Sequence, residues 1–155
     1  MTHARFLALA LQLAAANVRD GGGPFGCVVV KDGEVLATGV NRVTAGCDPT
    51  AHAEVQAVRE ACRRLGSHQL DGCTVYASCE PCPMCLGALY WARPDRVVFC
   101  AGRAEAAAAG FDDSFIYDEV PLAPEARSLP MVQVDHEDRL EPFRVWEGWE
   151  GRIDY

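Results

Sequence analysis

The stretch "SCEPCPMCLGALYWARP" (78–94) decides the reading of this chain. It begins at the end of "CTVYAS" (73–78), an apolar run with the length and composition of a buried strand. Pro83 suits the first turn of a helix beginning near Cys82, and Pro94 stops that helix. "RVVFC" (96–100) then reads as another strand. Cys82 and Cys85 therefore stand at Cys-x-x-Cys spacing where a strand hands over to a helix.

Upstream, "PTAHAEVQAVREAC" (49–62) reads as a second helix start. Asp48 or Thr50 is expected to cap it, and Val55, Val58, Cys62 and Leu65 share one face. His52 and Glu54 lie two residues apart, so they do not share a side face of the helix. The spacing makes sense if both reach a point beyond the helix end.

Further out, residues 4–19 are expected to form an amphipathic helix, broken by "GGGPFG" (21–26). "FGCVVVK" and "EVLATGVN" flank Asp32-Gly33, a strong hairpin signal. "RVTAGCDPT" (42–50) reads as loop, "RAEAAAAG" (103–110) as a helix ended by Gly110, and "MVQV" (131–134) as a fifth strand. A last helix is expected from Glu137 to Trp149, with Leu140, Phe143, Trp146 and Trp149 at threefold spacing. The order predicts a single α/β domain over 1–155: a three-layer α/β/α arrangement around a mixed sheet of about five strands. The hairpin gives an antiparallel pair, and the later strands are expected to run mostly parallel.

Composition narrows the function. The 155 residues are 50% hydrophobic and 23% charged, an ordinary globular balance. Net charge is −8 and Lys31 is the only lysine, which weighs against gripping a nucleic-acid backbone. No run is long and apolar enough to suggest a membrane span, and "FLALALQLAAA" (6–16) reads as part of the first helix rather than a leader. Eight cysteines in a chain with a good core composition point to a reducing cytoplasm. Cys27, Cys47, Cys62, Cys73, Cys79 and Cys100 are expected to be free thiols.

His52, Cys82 and Cys85 are the ligands expected for one zinc ion. Three protein ligands leave a fourth position open, as in catalytic rather than structural zinc sites. His52 and the Cys82–Cys85 pair each begin a helix, whose N-terminal partial charge favours thiolates. Glu54 is unnecessary as a ligand and well placed to carry a proton. A Cys-x-x-Cys alone would equally fit a redox pair or half of a structural zinc site; His-x-Glu alone means little. A non-enzymatic zinc module has no use for Glu54.

The His-x-Glu and Pro-Cys-x-x-Cys pair is the signature of zinc nucleobase deaminases. The chain resembles the cytidine deaminase superfamily from end to end. "GGPFGCVVVKDGEVLATGVNRV" (22–43), "DPTAHAEVQAVR" (48–59), "SCEPCPMCLGALYWARP" (78–94), "AGFDDSFIYDE" (109–119) and the final Tyr155 are similar to small bacterial guanine deaminases. The resemblance implies hydrolysis of guanine to xanthine and ammonia, with zinc-bound hydroxide attacking the carbon that bears the amino group. It implies that Glu54 protonates the neighbouring ring nitrogen and then the leaving amine. It also implies that Asn41 hydrogen-bonds the base, that Phe25, His52 and Trp91 line the ring faces, and that Ala53 contacts the base. Asp113 contacts a base edge or helps move protons, with Asp112 an equal candidate from sequence. Tyr155 closes the pocket, and the C-terminal segment is exchanged between subunits of a homodimer. The same chemistry on cytosine, cytidine, guanosine, an aminotriazine or adenosine in tRNA is the alternative. Gly148 and Gly151, in "EGWEGRIDY" (147–155), are expected to end the last helix early.

Overall fold

The computed structural model describes residues 3–155. Two compact units are present, dividing after Ser114.

The first unit is built on one four-stranded sheet. Its elements are α1 (His3–Arg19), β1 (Gly26–Lys31), β2 (Glu34–Val40), α2 (Val43–Gly46), α3 (Ala53–Leu65), β3 (Cys73–Cys79), α4 (Pro83–Ala92), β4 (Arg96–Ala101) and α5 (Arg103–Ala108). Strand order is β2-β1-β3-β4. β1 pairs antiparallel with both β2 and β3, and only β3–β4 is parallel. The expected hairpin is therefore present, but the later strands are less parallel than anticipated. Asp32 and Gly33 close the hairpin with φ of 52° and 80°, the paired positive values a two-residue type I′ turn needs.

Two apolar clusters sandwich the sheet. α1 places Phe6 and Ala10 against Val28, Val30 and Tyr76. On the other side Ala53, Ala57 and Ala61 of α3 and Leu89 and Ala92 of α4 cover Cys27, Val29 and Val75. Alternate residues of β1 thus serve opposite layers, as the pleat requires. The three-layer α/β/α expectation holds in this unit.

The second unit, Phe115–Tyr155, contains most of α6 (Ser114–Glu119), a 3₁₀ turn at Pro124–Ala126 and α7 (Glu141–Gly148). "MVQV" is not a strand: residues 131–134 carry no ladder, and Val132 and Val134 are exposed. The sheet has four strands, not about five. Alternating apolar residues show that a stretch tolerates extension, but a strand also needs a partner edge. The last helix spans Glu141–Gly148 rather than Glu137–Trp149, so Gly148 does end it. In the first unit, α2 occupies part of the stretch expected to be loop.

Candidate active site

His52 and Cys82 are the N-cap residues of α3 and α4. Both have extended backbones, with ψ of 156° and 168°, and neither side chain caps its own helix. An N-cap is ordinarily Ser, Thr, Asp or Asn, whose oxygen folds back on the helix. A histidine or cysteine there turns its side chain outward while the main chain still starts the helix: the His52 carbonyl accepts from Gln56 N–H at 3.0 Å, and that of Cys82 from Leu86 N–H at 2.8 Å. The sequence expectation that Asp48 or Thr50 caps α3 is corrected here. The Asp48 carboxylate instead accepts both Thr50 N–H (2.8 Å) and Thr50 O–H (2.7 Å), bracing the loop that leads to His52.

The two helix starts converge. His52 Nδ1 lies 3.5 Å from Cys82 Sγ and 3.5 Å from Cys85 Sγ. One donor atom from each of the three residues falls within 4.8 Å of the others, and this is the one such cluster among the described residues. Cys85 is fully buried, and its thiol donates to Glu54 Oε2 at 3.4 Å. Glu54 is itself buried, at 7% exposure.

Burial pushes the Glu54 carboxyl above the ordinary carboxylate value. Interaction with Cys85, helped by His52, lowers Cys82 to about 4. Cys85 is raised, first by its interaction with Cys82 and then by burial. Hydrogen bonding with Cys82 raises His52. Two sulfurs and one imidazole nitrogen are a soft-to-borderline donor set that suits zinc and leaves one position open.

Residues 1–101 match the family described as cytidine and deoxycytidylate deaminase zinc-binding region. The chain belongs to this zinc-binding deaminase family. It is 53% identical to guanine deaminase of Bacillus subtilis, over all of both chains. The X-ray structure of guanine deaminase from that organism superposes with a TM-score of 0.98, covering 100% of this chain and 99% of the other. A tRNA-specific adenosine deaminase of Aquifex aeolicus is 45% identical, over 62% of this chain and 64% of its own.

The remaining site candidates are placed by their own elements and contacts. The Asn41 N–H donates to the Phe25 carbonyl at 3.2 Å, and Arg42 N–H to the Ala51 carbonyl at 2.9 Å, so the end of β2 is tied to the segment carrying His52. Asn41 and Ala53 are buried. Phe25 packs on the core and meets the Phe111 ring edge-on at 5.0 Å. Asp112 is occupied: its carboxylate accepts Ser114 N–H at 2.9 Å and its pKa is lowered for that reason. Asp113 is raised, by burial and then by the charge of Cys82. Trp91 is 64% exposed on α4. Tyr155 belongs to the second unit.

None of the eight cysteines forms a disulfide. Sequence reading missed Asn17, Gly39 and Ser78. Asn17 had a signal: it continues the buried stripe of Phe6, Ala10 and Ala14 along α1, where a polar residue needs a partner. Ser78 accepts the Gly26 N–H at 3.0 Å and is buried.

Proposed function

We propose that this chain is a zinc-dependent guanine deaminase, hydrolysing guanine to xanthine and ammonia. The observation that carries the reading is the 53% identity to a guanine deaminase along the entire length, 1–155, including the segment after Ser114. Similarity to the tRNA-specific enzyme covers only 62% of the chain. The acidic balance also disfavours a nucleic-acid substrate.

His52, Cys82 and Cys85 hold the metal. What zinc supplies when bound is Lewis acidity that brings the pKa of a water toward neutrality. Glu54 would take one proton from the attacking water and pass it to the ring nitrogen beside the carbon bearing the amino group. It would then take the remaining proton of the oxygen added to that carbon and pass it to the departing amine. Its raised pKa suits it to hold a proton between those transfers. Asn41 hydrogen-bonds the base, Ala53 lies against it, and Phe25 and Trp91 line the ring faces. Asp113 holds a base edge or relays protons. Leu86, Leu89, Tyr90, Arg93, Pro94 and Val97 line an open groove of about 310 Å³. Leu129, Val132, Val134 and Ile153 of the second unit are exposed. Such surfaces support a homodimer in which the C-terminal segments are exchanged and Tyr155 closes a partner's pocket. Cytoplasmic purine turnover is the setting this activity implies.

The test is ammonia release from guanine, cytosine, adenine, guanosine, cytidine and an aminotriazine by the zinc-loaded protein. Turnover of guanine above all others is expected. Inert guanine with another base deaminated would overturn the substrate and keep the chemistry.

A further inference from the structure

Asn17 is a buried carboxamide near the end of α1, at 4% exposure, and has no part in the reaction described above. Both hydrogens of its Nδ2 are committed. One goes to the Gly23 carbonyl at 2.8 Å and the other to the Asn41 carbonyl at 2.7 Å. Its own main-chain carbonyl accepts Gly22 N–H at 2.8 Å and Asp20 N–H at 3.1 Å. One residue therefore joins the end of a helix, the glycine turn and the end of β2.

The glycines make room for this arrangement. A β-carbon on Gly22 would stand 2.7 Å from Asn17 Cγ, and one on Gly23 would stand 2.9 Å from Asn41 Oδ1. Two carboxamides thus pack directly on the bare backbone of the turn. Asn41 is held from several sides: its N–H by Phe25, its carbonyl by Asn17, and its side-chain Oδ1 by Val43 N–H at 3.3 Å. Val43 N–H fixes which way the carboxamide faces, and Nδ2 is the donor Asn41 can offer a ligand.

We infer that Asn17 is a positioning residue: its carboxamide fixes the main chain of Asn41 and so the aim of the Asn41 side chain at the base. The inference rests on the reading of Asn41 as a base contact. An aimed donor is worth more than a free one because its orientation is settled before the ligand arrives.

The test uses the zinc-loaded full chain. Asn17→Asp keeps the shape and replaces the donor with an oxygen facing two carbonyls; Asn17→Ala removes it. Each is made alone and in an Asn41→Ala background, with zinc content, thermal midpoint and guanine kinetics measured. Alone, each is expected to lower kcat/KM roughly tenfold, carried mainly by KM, with zinc stoichiometry unchanged. On Asn41→Ala the same change is expected to cost less than about twofold, because the group it serves is gone. Equal losses in both backgrounds, or an unchanged KM in the single variants, overturn the inference. An Asn41→Ala chain with normal guanine kinetics instead overturns the assignment of Asn41. Should the Asn17 variants not fold, Gly22→Ala displaces the same amide from the turn side, and its effect must show the same dependence on Asn41.

Discussion

Gly39 on β2 faces the first turn of α3 so closely that a β-carbon there would collide with the Ala53 carbonyl oxygen and stand 2.5 Å from Ala57 N. This approach seats the helix start that carries His52 and Glu54. Backbone cannot retreat as a flexible side chain can. Gly39→Ala is expected to cost about 1–3 kcal/mol of stability through overpacking. It should also weaken zinc retention, since α3 must lift where the ligand is attached. Thermal unfolding and metal analysis check both; a variant with unchanged Tm and full zinc would show that the close approach is relaxed elsewhere.

Glu54→Gln separates metal binding from proton transfer. The substitution keeps the buried volume and a polar group beside Cys85 Sγ, which lies 3.4 Å from Glu54 Oε2. Zinc should stay at full occupancy while kcat falls roughly a hundred- to ten-thousandfold, the usual range for losing a general acid–base group. Appreciable turnover by the loaded variant would remove Glu54 from the proton path.

Much of this site is legible in the sequence because its parts are local. His52 and Glu54 sit in one turn, Cys82 and Cys85 in another, and Pro83 marks the second helix start. The converging geometry follows once two helices must begin at the same end of one sheet. What stayed hidden is non-local. Asn17 is joined to Asn41 by a bond spanning 24 positions that no periodicity announces. The antiparallel β1–β3 pairing depends on which edge of the hairpin β3 finds, and spacing does not encode that choice. "MVQV" misled because residue type reports extension and burial, not the presence of a partner edge. The cap of α3 is hidden because His52, a candidate metal ligand, occupies the N-cap position for which Asp48 and Thr50 have the usual chemistry.

Removing the metal tests the ligand set. Chelation of the wild-type chain should abolish turnover, and added zinc should restore it. Cys82→Ala should bind less zinc, fail to recover on addition, and melt earlier than the loaded wild type, because metal affinity is also folding free energy. Full zinc content in Cys82→Ala would overturn its assignment as a ligand.

The proposed exchange of the C-terminal segment can be tested by complementation. A chain lacking Tyr155 should keep zinc and lose guanine turnover. Mixed and reassembled with Glu54→Gln, it should regain activity. A heterodimer then has one pocket with an intact Glu54 and a Tyr155 supplied by its neighbour. No recovery, with both chains shown to associate, would place Tyr155 in its own subunit's pocket or outside any pocket.

Asp48 braces the approach to His52 through an Asx turn. Its carboxylate binds Thr50 N–H and O–H, its carbonyl accepts Ala51 N–H at 3.1 Å, and the Thr50 carbonyl accepts His52 N–H at 2.8 Å. The Thr50 hydroxyl, then the Thr50 amide, hold the Asp48 carboxyl below its ordinary value of 3.8. A depressed folded pKa means the stabilisation is fully present above that ordinary value and is lost as pH falls through the folded one. Between pH 5 and 8 the turn should therefore be insensitive to pH. Asp48→Ala should release zinc to a chelator roughly tenfold faster across that window, near the lower end of what losing an outer support costs a metal site. Asp48→Asn keeps a carbonyl acceptor for Thr50 and should release zinc at close to the wild-type rate. Stopped-flow chelation at several pH values reads both variants; a wild-type release rate in Asp48→Ala would mean that α3 alone holds His52 in place.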